Sequence, residues 1–288
     1  MIDFSHQRTP AQSLQEYGRG LAGGLIFAMP LLFTMEVWWA GFILHPLRIA
    51  IYMAATFVIL LFYNRFVGLR RDASFGEVVI DSVEEMGIGL LVAALILWLG
   101  GRIAADMTLF EIGGKIIMEA MTVAIGVSVG TAQLGAPDDG DEGFSGEEGC
   151  SSKDYLSQTA VALCGAVLFA ANIAPTDEIT VIAMENSPLR MLLLCLFSLT
   201  LGSLVLHFSE FRGASVHVAK DSATLKIRGI VTTYAVALVA SASSLYFFGK
   251  FDDQPFYIIV AQTVVLGVPA VLGASAGRLL LQTANSRS

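Results

Sequence analysis

Residues 21–48 recur at 163–190, 142 positions later and without a gap. Leu21, Gly23, Phe27, Ala28, Thr34, Glu36, Pro46, Leu47 and Arg48 return as Leu163, Gly165, Phe169, Ala170, Thr176, Glu178, Pro188, Leu189 and Arg190. That is nine identities in 28 positions, where chance in so apolar a composition gives roughly two or three. An internal duplication is the expectation. Both copies hold a glutamate, Glu36 and Glu178, inside a stretch apolar enough to enter a bilayer. An ionisable group there is costly and is a functional hypothesis by default. Internal repeats with polar sites near mid-membrane are a habit of transporters.

Hydrophobic residues make up 55% of the chain and charged ones only 15%. A soluble protein of this length carries more charge, so the lipid bilayer is the expected surrounding. The first twenty residues are polar and lack the basic region and short apolar core of a cleavable signal. A net charge of -8 argues against a nucleic-acid partner, which needs a basic face. Cys150, Cys164 and Cys195 have no metal-ligand spacing.

Eight segments meet the roughly 20-residue requirement for a span: near 20–44, 47–66, 84–103, 112–134, 156–183, 189–208, 229–248 and 256–281. The expected fold is therefore all-α, with eight transmembrane helices arranged as two parallel four-helix repeats. The expected division is a cytoplasmic N-terminal segment (1–20), a first four-span repeat (21–134), an acidic cytoplasmic linker (135–154), a second repeat (155–282) and a tail (283–288). Thr122-Val123 and Gly126-Val127 match Thr263-Val264 and Gly267-Val268 at an offset of 141, which registers the fourth span on the eighth. Four spans per half put both halves the same way up, around a pseudo-twofold along the membrane normal. With the N-terminus inside, twelve Lys and Arg fall on the inner side and five on the outer. That bias puts both termini in the cytoplasm, in a bacterial inner membrane.

Glu36 follows Pro30 and Thr34, and Glu178 follows Pro175, Thr176 and Asp177. A proline frees a carbonyl a turn earlier, and in lipid that carbonyl must be satisfied by protein, water or an ion. Proline, threonine and carboxylate together suit a broken helix that holds a cation with oxygen ligands. Glu36 and Glu178 are thus the expected cation- or proton-binding residues, with Thr34, Thr176 and Asp177 beside them. Parallel halves would bring the two glutamates face to face at similar depth. The plainer account is that both spans end early, with these groups as interfacial polar residues beside a Trp38/Trp39 belt.

Glu111, Lys115 and Glu119 lie four residues apart and share a helix face. Glu119 falls near mid-span and is an auxiliary acid, with Lys115 its charge partner. The offset of 141–142 puts Phe256 or Tyr257 at the place of Lys115, and Val260 or Ala261 at that of Glu119. Any site is then asymmetric. Glu77, Asp81, Glu84 and Glu85 crowd the inner entry of the third span, as a solvated helix end or an inner vestibule. Offset 142 pairs Glu84 with Lys226 and Met86 with Arg228, which could bridge the halves. The acidic run from Asp138 fails as a calcium loop, because positions 3 and 12 are Gly140 and Gly149. No zinc, Walker or nucleophile-elbow motif is present, and the four histidines are scattered in or near connections. Neither an enzyme nor a cofactor is expected.

The stretch from Gly24 through Pro30, Thr34 and Glu36 to Gly41, with Asn172-Ile-Ala-Pro-Thr-Asp-Glu-Ile, resembles an uncharacterised family of bacterial integral membrane proteins. The resemblance covers most of the chain outside the acidic linker. It implies a bacterial cytoplasmic membrane and no particular activity. The residues themselves favour a secondary transporter or channel for a small cation or proton. The alternative is a non-transporting assembly or stress-response protein whose acids are structural. A homo-oligomer is compatible with either.

Overall fold

The computed structural model describes residues 10–68, 74–134, 152–213 and 223–285. Most of the acidic linker lies outside them. The described residues form ten α-helices and no strand. They divide into two compact units, residues 1–144 and 145–288.

The first unit holds α1 (Pro10–Leu32), α2 (Met35–Ile43), α3 (Pro46–Phe66), α4 (Phe75–Leu99) and α5 (Leu109–Gln133). Its helix starts are written locally. Pro46 opens α3, where a proline's missing N–H is no loss. Ser74 caps α4: its backbone N–H donates to Glu77 Oε2 at 2.7 Å, while its hydroxyl accepts from the Glu77 N–H. Thr108 and Glu111 form the same reciprocal box on α5. Glu111 is therefore occupied as a capping carboxylate.

The expected first span at 20–44 is a broken helix, as Pro30, Thr34 and Glu36 suggest. It breaks after Leu32, and α1 and α2 meet at 89°. Pro30 lies in the last turn before the break. Seven of the described helices are long and apolar enough to cross a bilayer, and the broken α1–α2 pair makes an eighth if it counts as one span.

α5 is the axis of this unit. It packs on α1, α2, α3 and α4, and 67% of its apolar window is buried, against 28% for α3. Glycines set how closely its neighbours approach. A methyl group on Gly130 would lie 2.7 Å from Gly23 Cα, and one on Gly41 would lie 2.5 Å from the Lys115 amide nitrogen. Backbone meets backbone at both crossings, as small residues permit.

The second unit holds α6 (Ser152–Ile173), α7 (Glu178–Glu185), α8 (Pro188–Gly213), α9 (Ala223–Phe247) and α10 (Phe256–Asn285). α10 packs on α6, α7, α8 and α9. The expected fifth span at 156–183 also breaks, at Ala174–Asp177. Gly165 of α6 and Gly273 of α10 face each other with no room for a methyl group, and one on Gly277 would lie 2.6 Å from the Val161 carbonyl oxygen.

These contacts correct the register read from sequence. In the first unit a methyl on Gly23 would meet the Gly126 carbonyl, and one on Gly130 the Arg19 carbonyl. In the second, Gly165 meets Gly273, and Gly277 meets Val161. Gly126 and Gly130 thus play the parts of Gly273 and Gly277, 147 positions on, not 141. The α4 and α9 ends agree with a shift of this kind. Gly101 (φ 66°) and Gly249 (φ 74°) follow them. Arg102 N–H donates to the Leu97 carbonyl at 2.8 Å, and Lys250 N–H to that of Leu245 at 2.9 Å. That offset is 148. The place of Lys115 is therefore held by Gln262, not Phe256 or Tyr257, and that of Glu119 by Leu266, not Val260 or Ala261. Glu84 corresponds to Thr232, not Lys226. The sequence match at 141 follows shared Thr-Val and Gly-Val pairs, whereas the packing follows the glycines at the crossings.

Candidate functional site

Helix geometry places Glu119 between two crossings on α5. Glu119, Val123, Gly126 and Gly130 fall on one stripe of α5, three, four and seven residues apart. Gly126 and Gly130 meet α1 at Gly23, and Val123 lies against Gly24. Towards the start of α5, Gly114 meets α2 at Gly41. Glu119 therefore sits between the crossing by α1 and the crossing by α2. It is wholly buried, and neither carboxylate oxygen has a hydrogen-bond partner among the described residues. On α2, the Trp38 indole N–H is likewise buried and unpartnered there.

Lys115 is buried one turn from Glu119, but it does not serve as its partner. Its amine donates to the Arg102 carbonyl at 3.0 Å and to Met107 Sδ at 3.4 Å, and lies 5.8 Å from the Phe42 ring centre. The long side chain reaches back to the α4–α5 connection, where a carbonyl and a thioether hold it. In the second unit Gln262 donates to Thr180 Oγ1 at 3.0 Å, and Leu266 is fully buried. No acid stands at the place of Glu119.

The threonines at the two breaks close their own turns. Thr34 Oγ1 donates to the Pro30 carbonyl at 3.1 Å, and Thr176 Oγ1 to that of Ile173 at 2.9 Å. Glu36, in the first turn of α2, is half-buried. Glu178 is the first residue of α7 and is exposed. Both carboxylates sit at a helix N-terminus, where the dipole favours them. Asp177 is taken by Lys250, whose amine lies 2.7 Å from Oδ1. Its first-unit counterpart is different chemistry: the Arg102 guanidinium lies 4.7 Å over the Trp38 ring. Among the described residues, no three His, Cys, Asp or Glu side chains are placed to hold a metal ion together.

A second polar centre lies at the other end of the first unit, where α1 and α4 begin and α3 and α5 end. Asn64 Nδ2 donates to Glu85 Oε2 at 2.7 Å and to Ser82 Oγ at 3.1 Å, and Asn64 Oδ1 accepts from Ser128 at 3.0 Å. All four side chains are buried. The Tyr17 hydroxyl donates to Glu84. Beside this network is a cavity of about 50 Å³, lined among others by Glu16, Asp81, Glu84, Glu85, Asn64 and Thr131, and by no lysine or arginine among the described residues. The carboxylates here were visible in the sequence as an acidic helix entry. Asn64 and Ser128 were not singled out, although an amide inside the apolar run of α3 is itself a signal of a buried partner.

A family model described as "Putative integral membrane protein (DUF2391)" matches residues 16–281. No curated protein and no solved structure matches the chain.

Proposed function

Because the chain belongs to the DUF2391 family of integral membrane proteins, we propose that it is a secondary transporter or channel for a small cation, proton included, working through intramembrane carboxylates. One observation carries this: Glu119 is fully buried with both oxygens unpartnered among the described residues. A carboxylate at mid-span costs roughly 2.5–3.5 kcal/mol on insertion scales. A merely structural acid would be expected to recover part of that through hydrogen bonds, as Glu85 does with Asn64. An acid that must take up and release a cation or proton is left open. The broken helix supports the same reading, since interrupted spans supply binding sites in transporters.

In this reading Glu119 is the coupling carboxylate. Glu36, with Thr34, lies on the path at the start of α2. Glu178, Thr176 and Asp177 stand at the corresponding break of the second unit, where Asp177 with Lys250 is a clamp. The two units descend from a duplication, lie parallel in a bacterial inner membrane, and leave both termini in the cytoplasm. The shared helix order supports this, as does the Lys/Arg bias.

The test is ion flux in proteoliposomes, with a panel of monovalent cations and an imposed pH gradient. Glu119→Gln keeps the shape and removes the charge. It should abolish flux while leaving thermal unfolding close to wild type. Normal flux in Glu119→Gln would sink the reading. A non-transporting structural role would then replace it, as the capping carboxylates Glu77 and Glu111 illustrate.

A further inference from the structure

Glu119 has hydroxyl neighbours on its side of α5. Thr122 follows it by three residues and so shares its face. The Thr122 hydroxyl lies 3.3 Å from the Tyr52 hydroxyl of α3, and either can donate to the other. Glu119, Thr122 and Tyr52 are all buried. The second unit keeps none of the three. Pro46-Leu47-Arg48 against Pro188-Leu189-Arg190 sets an offset of 142 for α3 and α8, and the glycine crossings set 147 for α5 and α10. Tyr52 then maps onto Leu194, Thr122 onto Pro269 and Glu119 onto Leu266. The hydroxyl pair is present where the acid is present and is replaced where the acid is replaced, as expected of groups that work together.

We propose that the ion Glu119 carries is a proton, and that the Tyr52–Thr122 hydroxyl pair passes it to and from the carboxylate; this rests on the transport reading of Glu119. The surroundings suit a proton better than a metal ion. A hard metal cation is held by several oxygens, about six to eight for calcium, and Glu119 supplies two. The Thr34 hydroxyl is engaged by the Pro30 carbonyl. Lys115, one turn away on α5 and held by the Arg102 carbonyl and Met107, repels a second fixed cation. The helices packed on α5 add little charge. α1 has no titratable side chain after Arg19, and α4 none after Glu85. α2 brings Glu36 alone, half-buried in its first turn, and α3 brings Tyr52, with Arg48, Tyr63 and Arg65 towards its ends. A proton needs one oxygen and turns Glu119 into a neutral carboxyl group, which an apolar surrounding accepts more readily than a charge. The transfer makes and breaks O–H bonds only. Thr122 gives its proton to Glu119 as it accepts one from Tyr52, and Tyr52 accepts the incoming proton, so both hydroxyls end as they began. Intramembrane carboxylates mark proton relays in pumps and transporters.

Proteoliposomes of the full-length protein, with a pH-sensitive dye inside and a potassium gradient clamped by valinomycin, test this. An inside-negative potential should acidify the lumen of wild-type vesicles, while Glu119→Gln should match protein-free ones. Uptake of radiolabelled sodium, and of rubidium with valinomycin left out, should stay at the protein-free level. Tyr52→Phe and Thr122→Val should each slow acidification roughly tenfold, about the worth of one hydrogen bond. Thr122→Ser keeps the hydroxyl and loses the methyl, so it should recover most of the rate lost in Thr122→Val, which a packing role does not predict. The threonine pair decides the matter should Tyr52→Phe fail to fold. Glu119-dependent uptake of sodium or rubidium without proton movement overturns the proposal and leaves the transport reading standing. Movement of no cation at all overturns both. Wild-type acidification in Thr122→Val, or equal slowing in Thr122→Ser and Thr122→Val, overturns the relay.

Discussion

The Lys250 amine lies 2.7 Å from Asp177 Oδ1, and this pair ties the start of α7 to the α9–α10 connection. Lys250 is largely covered, at 14% side-chain exposure, while Asp177 is 80% exposed. Water reaches the pair and screens it. A double-mutant cycle with Lys250→Ala and Asp177→Asn, followed by thermal unfolding, should therefore give a coupling of at most about 1 kcal/mol. Flux in Asp177→Asn should stay near wild type. A loss as deep as that of Glu119→Gln would make Asp177 a ligand and not a clamp.

Glu119→Leu separates stability from function. Leu266 already fills the corresponding place of the second unit, fully buried. Removing an unpartnered buried carboxylate in favour of an apolar side chain should raise the unfolding temperature while flux disappears. A lower unfolding temperature would mean that Glu119 has a stabilising partner.

Gly130→Ala should destabilise the first unit by about 1–3 kcal/mol, because the new methyl would lie 2.7 Å from both Gly23 Cα and the Arg19 carbonyl oxygen. Gly113→Ala, where nothing lies within 4 Å, is the control and should be neutral or slightly stabilising. Thermal unfolding of the two variants side by side gives the comparison. Equal effects would show that the α1–α5 crossing is looser than its geometry.

Ser74→Ala and Thr108→Ala each remove one half of a capping box. Each should cost about 1 kcal/mol, read as a lowered unfolding temperature. The local effect is faster amide exchange confined to the first turn of α4 or α5. A variant with unchanged exchange there would show that tertiary packing, and not the cap, fixes that helix end.

Much of the fold was legible in the residues. Long apolar runs gave the helices, and Pro46 and Pro188 marked where α3 and α8 begin. Apolarity alone cannot show a break, but Pro30, Thr34 and Glu36 together pointed to one, and the 89° turn after Leu32 lies among them. The register of the last helix in each unit was misread because Thr-Val pairs are cheap coincidences in such a composition. Gly126-Val-Ser128-Val-Gly130 against Gly273-Ala-Ser275-Ala-Gly277 was the better guide, because glycine at a crossing has no substitute. Glu119 was visible as a mid-span acid. Its lack of a partner was not, since spacing suggested Lys115, and only the reach of that side chain to the Arg102 carbonyl shows otherwise.

The central position of α5 has a consequence for how the protein is made. Of the five helices of its unit, α5 is the last to leave the ribosome. Until it arrives, α1 has only α2 and α4 to contact, and the glycines at 23 and 41 have nothing to pack against. Most of the core can therefore close only after the last helix is inserted. The same delay recurs with α10, so a nascent chain passes twice through a stage in which inserted helices, paired only in part, wait for their axis.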